Sequence, residues 1–248
     1  MQPGNWGTWF QYNAILMMRP APKAICFDAY GTLFDVYSVG QLADSYFPGR
    51  GIALAQMWRD KQVEYTRLRS MSGQYKPFWE ITRDALKYCG AALGLDLGAT
   101  QSEALMGQYA RLSAFPENLQ ALQRLRASGL PLAILTNGNP DMIGQAVESA
   151  GMSKMFSAVL SADQVQRYKV DPSVYRLATD YFGCAASELL FVSSNGWDVC
   201  GATWYGFKTF WVNRSKAPAE VLDVSPTVVG QCLTEVADLV CGESAPSI

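Results

Sequence analysis

Histidine is missing altogether from the 248 residues of the chain. This absence excludes Ser-His-Asp triads, Cys-His nucleophile pairs and metal centres ligated by histidine. Any acid–base step must therefore be carried by Asp, Glu, Lys or Tyr side chains, or by water that these side chains hold.

Other features are scarce. The six cysteines include no C-x-x-C pair, which favours buried thiols in a reducing cytoplasm over a disulfide framework or a zinc site. The formal net charge of −2 gives no basic surface for nucleic acid. No uncharged apolar run is long enough to span a membrane. We therefore expect a cytoplasmic protein that binds neither nucleic acid nor membranes.

Apolar residues are plentiful, at 49% of the chain against 17% charged. At this length, such a composition suits one large domain, or a domain with a smaller one inserted, and does not suit a disordered chain. We expect residues 1–22 to be a poorly ordered extension, with Met17 or Met18 as the natural start. Residues 243–248 are expected to be a frayed tail.

Residues 23–35 combine an apolar run with polar residues. The run A-I-C-F at 24–27 leads directly into Asp28, and a turn opens at Tyr30-Gly31-Thr32. A short, continuous apolar run of this kind predicts a strand that is buried on both faces. Ligands of open α/β sheets bind at the carboxyl ends of the strands, so Asp28 is a candidate catalytic carboxylate.

The order of elements predicts an α/β fold. Helix-like stretches fill residues 36–113, and strands alternate with helices thereafter. The alternation predicts a Rossmann-like, doubly wound parallel sheet. We assign residues 23–35 and 114–242 to the core domain and residues 36–113 to an inserted helical cap subdomain. A last helix is predicted over residues 228–240. The predicted strands cover residues 24–27, 131–135, 158–160, 189–192 and 208–212.

Polar residues follow the predicted strands where they end. Parallel strands bring their carboxyl ends to one edge of a sheet, so these side chains are expected to converge on one crevice. The crevice would hold two carboxylates, one lysine, hydroxyls and amides. The residues concerned are Asp28, Thr32, Thr136, Asn137, Lys169, Ser193, Asn195 and Asp198.

Four motifs, found in this order, resemble those of the haloacid dehalogenase superfamily. They are F-D-A-Y-G-T-L-F-D at 27–35, L-T-N-G at 135–138, Y-K-V-D-P-S-V-Y at 168–175 and V-S-S-N-G-W-D-V-C-G-A at 192–202. The resemblance covers nearly the whole chain from Lys23 onward. It implies a Rossmann-like core with an inserted cap.

Two departures from the phosphatases of that superfamily bear on the reaction. Phosphatases have a second Asp two residues after the nucleophile, where this chain has Tyr30. They also have acidic Mg²⁺ ligands early in the fourth motif, where this chain has Ser193, Ser194 and Asn195. In both places the chain resembles the L-2-haloacid dehalogenase (type II) branch of the superfamily. That resemblance implies hydrolysis of short L-2-haloacids, such as haloacetate and 2-halopropionate, to D-2-hydroxy acids through an aspartyl ester, without a metal or other cofactor.

Elementary chemistry explains both departures. A phosphate ester brings two negative charges, which a cation must offset, and its leaving alkoxide needs a proton donor. A haloacid brings one carboxylate, which hydroxyl and backbone N–H groups can hold. Halide is a weak base, so it leaves without a general acid.

For the first half-reaction, the resemblance implies that Asp28 is the nucleophile and attacks C2 of the substrate. Lys169 would favour the ionised form of Asp28 and orient it. Thr32 and Ser193 would hydrogen-bond around the same carboxylate.

The resemblance also implies the substrate contacts. Thr136 and the backbone N–H groups near Ala29 and Tyr30 would receive the substrate carboxylate. Arg59 and Asn137 would receive the departing halide. An apolar wall around the C2 substituent would consist of Tyr30, Phe78 and Trp197.

For hydrolysis of the ester, the resemblance implies that Asp198 is the general base and that Asn195 helps to position the water. Tyr175 would orient Lys169 or the substrate. Since relatives commonly pair, the resemblance also implies a homodimer.

Alternative interpretations of these residues stay open. Asp198 also fits the N-cap of a helix, and Lys169 fits a solvated loop charge. Arg59 has basic neighbours such as Arg67, and Phe78 fits the core of the cap. At the level of function, a Mg²⁺-dependent phosphatase or phosphonatase and a non-catalytic binding module on the same fold are the alternatives.

Overall fold

The computed structural model describes residues 18–242. Within that range one sheet has six parallel strands, which confirms the predicted α/β fold with a doubly wound parallel sheet. The strands are β1 (Ala24–Phe27), β2 (Leu132–Thr136), β3 (Ala158–Ser161), β4 (Leu189–Ser193), β5 (Lys208–Val212) and β6 (Val228–Gly230).

The strand β1 lies inside the sheet, whose order is β3-β2-β1-β4-β5-β6. All four of its residues are buried, because the sheet covers both its edges and helices cover its faces. Phe27 is in register with Ile134 of β2 and with Val192 of β4. The chain winds outward in one direction through β2 and β3 and in the other through β4 to β6, so the end of β1 lies at the crevice where ligands bind.

Within residues 18–242, five α-helices lie between β1 and β2 in the chain and four follow β2. The helices are α1 (Val39–Tyr46), α2 (Gly51–Ser72), α3 (Phe78–Ala92), α4 (Ala99–Tyr109), α5 (Asn118–Ala127), α6 (Pro140–Ser149), α7 (Pro172–Phe182), α8 (Gly196–Tyr205) and α9 (Leu233–Cys241).

Helix α7 shows how local sequence sets these boundaries. Its first residue is Pro172, whose missing N–H costs nothing in the first turn. Asp171 caps the start by accepting a 2.9 Å hydrogen bond from the N–H of Ser173. The helix ends at Gly183, whose φ of 60° is left-handed. The capped start lies directly after Lys169, which helps to fix that loop.

Helices α1 to α4 fill the stretch between β1 and α5. The two ends of this stretch lie side by side, because Phe34 and Ala114 form an antiparallel bridge and the N–H of Asp35 donates to the carbonyl of Ser113 at 2.8 Å. The division of the chain into a core and a cap, residues 36–113, remains a proposal.

The prediction of a helix over residues 228–240 is wrong in its first part. Residues 228–230 form β6, in which Val228 pairs with Phe210 of β5, and α9 begins only at Leu233. An apolar run of three residues carries no periodicity that separates a strand from a helix. Tertiary pairing with β5 therefore decides its structure.

The termini and the cysteines complete the description. Of the predicted extension, Met18 is buried and its carbonyl accepts a 2.9 Å hydrogen bond from Lys208 Nζ. Residues 1–17 and the predicted tail at 243–248 lie outside the described residues. All six cysteines are free thiols. Cys26, Cys89 and Cys200 are buried as predicted, whereas Cys184, Cys232 and Cys241 are partly exposed. Across residues 18–242, every helix is too short or too polar to cross a membrane.

Candidate active site

Asp28 is the first residue after β1 and is only 5% exposed. Its Oδ2 accepts hydrogen bonds from Asn195 Nδ2 at 2.7 Å, Thr32 Oγ1 at 3.0 Å and Ser193 Oγ at 3.4 Å. Its Oδ1 accepts one hydrogen bond, from Lys169 Nζ at 3.1 Å. The two oxygens therefore differ, because Oδ2 is held by three donors while Oδ1 keeps lone pairs for other partners.

The ammonium of Lys169 lies between two carboxylates. Its Nζ is 3.1 Å from Asp28 Oδ1 and 2.8 Å from Asp198 Oδ2, and it lies 4.8 Å from the ring centroid of Phe191. Its backbone N–H donates to Asn137 Oδ1 at 2.9 Å, which fixes the loop. Burial alone lowers the pKa of Lys169, but the two carboxylates outweigh burial and raise the pKa above its usual value.

Asp198 is completely buried. Its Oδ1 accepts a hydrogen bond from the Tyr175 hydroxyl at 2.8 Å, and its Oδ2 accepts from Lys169 and, at 3.3 Å, from Ser193 Oγ. Burial raises the pKa of Asp198 to about 6, with a further increase from the charge of Asp28, while Lys169 and Tyr175 oppose the increase. A carboxyl group with this pKa can exchange protons near neutral pH.

Asp198 is not a helix N-cap. Helix α8 begins at Gly196 and its N-cap is Asn195, so Asp198 lies within the first turn. The Tyr175 hydroxyl donates to Asp198 Oδ1, and Lys169 donates to Oδ2 of the same carboxylate; that Tyr175 orients Lys169 or the substrate stays a prediction.

Arg59 extends from α2 towards the residues that follow β1 and is 8% exposed. Its Nη2 donates to the Tyr30 carbonyl and to Asn195 Oδ1, both at 3.3 Å. Its Nη1 donates to Gln62 Oε1 at 2.9 Å. The buried guanidinium therefore lies next to Asn195, which also holds Asp28.

Aromatic rings line one side of the site. The Tyr30 ring lies 5.3 Å from the Phe78 ring and 5.7 Å from the Tyr109 ring, measured between centroids. The Tyr30 hydroxyl is buried and has no hydrogen-bond partner among residues 18–242, and burial raises its pKa well above the usual value. Trp197 is half-buried, with the guanidinium of Arg67 5.0 Å from its ring centroid. Tyr30 thus presents apolar surface two residues after Asp28, and Trp197 lines the same cavity as Arg59 and Asn195.

A cavity of about 480 Å³ opens beside the Trp197 ring. Arg59 and Asn195 reach it from the buried side, and Trp197 and Arg67 reach it from the rim. Its complete lining is Tyr37, Arg59, Asp60, Val63, Glu64, Arg67, Leu68, Asn195 and Trp197.

The other predicted substrate contacts lie at the ends of β1 and β2. Thr136 is buried, and its Oγ1 accepts a hydrogen bond from the Gly138 N–H at 3.0 Å. Within residues 18–242 the backbone N–H groups of Ala29 and Tyr30 donate no hydrogen bond, and none joins Asn137 to Arg59. The shared contact of Asn137 and Arg59 with the halide therefore stays a prediction.

Sequence reasoning missed several residues that hold these groups. Gln62 accepts from Arg59, and Phe191 lies against Lys169. Asn118 donates to the Thr32 carbonyl at 3.1 Å. The sequence does indicate that Gln62 can contact Arg59, because it follows Arg59 by three positions on a helix and so lies on the same face. Nothing in the sequence indicates that Phe191 contacts the site, because any apolar residue suits a buried strand.

Close packing around Asp198 yields a test of the geometry. A Cβ at Gly201 would lie 2.5 Å from the Tyr175 hydroxyl and 2.5 Å from Val170 Cγ1. We expect Gly201→Ala to lower the free energy of unfolding by about 1–3 kcal/mol and to lower turnover, because the hydroxyl must move away from Asp198. Urea denaturation and halide release measure both effects.

Gly144→Ala is the matched control, since a Cβ at Gly144 in α6 meets no atom within 4 Å. This variant should be as stable as the parent or more stable by about 0.5–1 kcal/mol, because alanine favours a helix over glycine. Equal losses in the two variants would contradict the described packing at Gly201.

The chain is similar to known proteins over most of its length. A model of the haloacid dehalogenase-like hydrolases matches residues 22–206. The (S)-2-haloacid dehalogenase of Pseudomonas sp. (strain YL) is 47% identical over 204 residues, which cover 82% of this chain and 88% of that protein.

Solved structures are similar over the same range. The crystal structure of an L-2-haloacid dehalogenase matches with a TM-score of 0.87 at 54% identity, over 89% of this chain and 99% of that chain. The Xanthobacter autotrophicus L-2-haloacid dehalogenase with chloropropionic acid covalently bound matches with a TM-score of 0.83 at 38% identity, over 90% of this chain and 100% of that chain. The chain belongs to the haloacid dehalogenase-like hydrolases and, within them, to the L-2-haloacid dehalogenases.

Proposed function

We propose that this protein hydrolyses short L-2-haloacids to D-2-hydroxy acids through an ester on Asp28. The observation that carries the proposal is the asymmetric environment of this carboxylate. Asn195 and Thr32 donate to Oδ2, and Ser193 shares its single hydroxyl hydrogen between Oδ2 and Asp198. Among residues 18–242, Oδ1 accepts only from Lys169 and keeps lone pairs for attack. A buried nucleophile with a fixed orientation and a free oxygen is what an in-line displacement requires.

In the first half-reaction, Asp28 Oδ1 attacks C2 from the side opposite the halogen. A C–O bond forms, the carbon–halogen bond breaks, and the halide leaves with the electron pair. The buried guanidinium of Arg59 is the charge that receives the halide. The free N–H groups of Ala29 and Tyr30, together with the Thr136 hydroxyl, receive the substrate carboxylate. One displacement inverts C2, so an L-substrate gives a D-product.

In the second half-reaction, water attacks the Asp28 carbonyl carbon and Asp198 accepts the proton. Since Oδ1 carries the substrate carbon, Oδ2 is the ester carbonyl oxygen and takes on negative charge. Asn195, Thr32 and Ser193 already donate to Oδ2, so they stabilise that charge without rearrangement. The bond from the Asp28 carbonyl carbon to Oδ1 then breaks, and the alkoxide takes the proton from Asp198 and leaves as the 2-hydroxy acid. Asp28 keeps the water oxygen in place of Oδ1 and loses its remaining proton to solvent, which regenerates both carboxylates.

The residues do not fit a divalent cation such as the Mg²⁺ of the related phosphatases. Asn195 Nδ2 lies 2.7 Å from Asp28 Oδ2 and 3.0 Å from the Tyr30 carbonyl oxygen. A neutral N–H donor therefore bridges two oxygens that a cation would need. Among residues 18–242, the His, Cys, Asp and Glu side chains form no group of three or more that could hold a metal. We therefore infer that no step runs through a metal.

We also propose that residues 36–113 act as a cap over the bound substrate, that the protein is a homodimer and that it is cytoplasmic. The first proposal is supported by Arg59, which extends from α2 to the Tyr30 carbonyl. The resemblance to other L-2-haloacid dehalogenases supports the second, and the set of free thiols supports the third.

Halide release from the separate enantiomers of 2-chloropropionate, with and without excess chelator, tests the reaction. We expect the L-enantiomer alone to react, with D-lactate as the product and with no effect of chelator. Activity on a phosphate ester that chelator abolishes would instead support the phosphatase alternative. Racemic lactate would contradict the single inversion.

The pH dependence of ester hydrolysis provides another prediction. The pKa of Asp198 is about 6 in the free protein, partly because of the charge of Asp28. Ester formation removes that charge, so the pKa of Asp198 falls in the intermediate and its base form persists to lower pH. We expect the single-turnover rate of ester hydrolysis to decline with acidification only below about pH 6. A decline that begins well above this pH would contradict Asp198 as the base.

A further inference from the structure

We propose that Gln62 is a positioning residue that holds the guanidinium of Arg59 in the orientation the leaving halide needs. The inference rests on the proposed role of Arg59 as the halide contact. It adds a residue that never touches the substrate but determines which N–H groups of Arg59 are free.

Gln62 lies at the centre of a buried hydrogen-bond chain. Its Oε1 accepts from Arg59 Nη1 at 2.9 Å and from the Tyr109 hydroxyl at 3.0 Å. Its Nε2 donates to Thr82 Oγ1 at 2.7 Å, and Thr82 Oγ1 in turn donates to the Phe78 carbonyl at 2.7 Å. Gln62 and Thr82 are fully buried and Tyr109 is 1% exposed, so water does not replace these bonds.

The direction of this chain is fixed by its last member. The Phe78 carbonyl can only accept, so the Thr82 hydroxyl must donate its single hydrogen there. Thr82 Oγ1 can then only accept from Gln62, which turns the amide nitrogen towards α3 and the amide oxygen towards Arg59. The Tyr109 hydroxyl donates to the same oxygen and reinforces this orientation.

The Gln62 side chain is uncharged, which also matters for binding of the halide. An amide oxygen holds the guanidinium in place without cancelling its charge, whereas a carboxylate at this distance would form a buried ion pair. Across residues 18–242 no carboxylate lies within ion-pair distance of Arg59. The full positive charge of Arg59 therefore remains available to an anion.

Two kinds of variant test the proposal. Gln62→Glu introduces a carboxylate 2.9 Å from Arg59 Nη1. Thr82→Val removes the acceptor that orients the amide, and Thr82→Ser restores it. Gln56→Glu is the matched control, because Gln56 is exposed on the same helix. The readouts are inhibition of turnover by added bromide and the ratio of turnover on 2-bromopropionate to that on 2-chloropropionate.

We expect Gln62→Glu to weaken bromide inhibition at least about tenfold. It should reduce turnover on the chloro substrate several-fold more than on the bromo substrate, because chloride is the poorer leaving group and depends more on Arg59. Thr82→Val should change both readouts in the same direction, while Thr82→Ser and Gln56→Glu behave as the parent. A merely structural role would lower stability without moving the ratio.

The possible results distinguish failure of the role of Gln62 from failure of the proposed function. If Gln62→Glu fails to fold, the Thr82 pair decides. Folded variants at Gln62 and Thr82 with parental bromide inhibition and a parental bromo-to-chloro ratio would overturn the inference. A parent protein that releases no halide from either substrate would instead contradict the proposed function.

Discussion

Replacing Asp28 with Asn is expected to lower turnover by at least about 10⁴-fold, as loss of a nucleophile does in other covalent mechanisms. The amide keeps the shape of the carboxylate, so the fold should persist. It cannot attack C2, because its lone pairs are delocalised and its nitrogen is not nucleophilic. Halide release from L-2-chloropropionate measures the loss, and urea denaturation checks the fold.

Asp35→Asn is the matched control. Asp35 is half-buried at the far end of the same motif, and its Oδ1 accepts only from the N–H of Tyr37. We expect this variant to keep parental turnover.

The parent protein offers a second, positive test. After turnover in heavy-oxygen water, the label should appear in the peptide that contains Asp28, because water attacks the carbonyl carbon of the ester. Label found only in the product would exclude the ester.

Much of the site could be predicted because residues that follow the strands of a parallel sheet come together at one edge of the sheet. The strand at 24–27 and the residues that follow the other strands sufficed to place Asp28, Lys169 and Asp198 at one edge. A continuous apolar run that ends in polar residues specifies both the strand and its end. The chain order of the motifs then specified which ends meet.

The remaining features depend on contacts that no local pattern records. Gln62 is a polar residue on a largely polar helix, and only tertiary packing shows that its amide is buried beside Arg59. The strand at Val228–Gly230 is defined by pairing with β5 and not by its own sequence. Asn137 is predicted as a halide contact, and that role stays a prediction; that its side-chain oxygen also accepts from the backbone N–H of Lys169 is a contact the motif does not indicate. It was therefore harder to predict how a side chain is oriented in the site than to predict which residues lie in the site.

Replacing Lys169 with Met is the second substitution with a large expected effect. Its ammonium lies 3.1 Å from Asp28 Oδ1 and 2.8 Å from Asp198 Oδ2, and it is 1% exposed. Without it, two buried carboxylates face each other with no cation between them. We expect turnover to fall by at least about 10³-fold, because Asp28 loses both its orientation and its counter-charge. Lys23→Met is the control, since Lys23 forms only an exposed ion pair with Glu188, and its turnover should match that of the parent.

The stability of Lys169→Met should depend on pH in a direction that identifies the cause. At neutral pH, breaking the buried pair should lower the free energy of unfolding by about 3–5 kcal/mol. Lys169 lowers the pKa of Asp198, so in the variant this pKa rises above the parental value of about 6, further from the ordinary 3.8 of the unfolded chain. The folded variant then binds a proton that the unfolded chain does not, and its stability falls as pH rises through the raised pKa. Urea denaturation at pH values below and above 6 should show a smaller deficit on the acid side. A deficit independent of pH would mean that lost packing, and not the unpaired carboxylates, accounts for the effect.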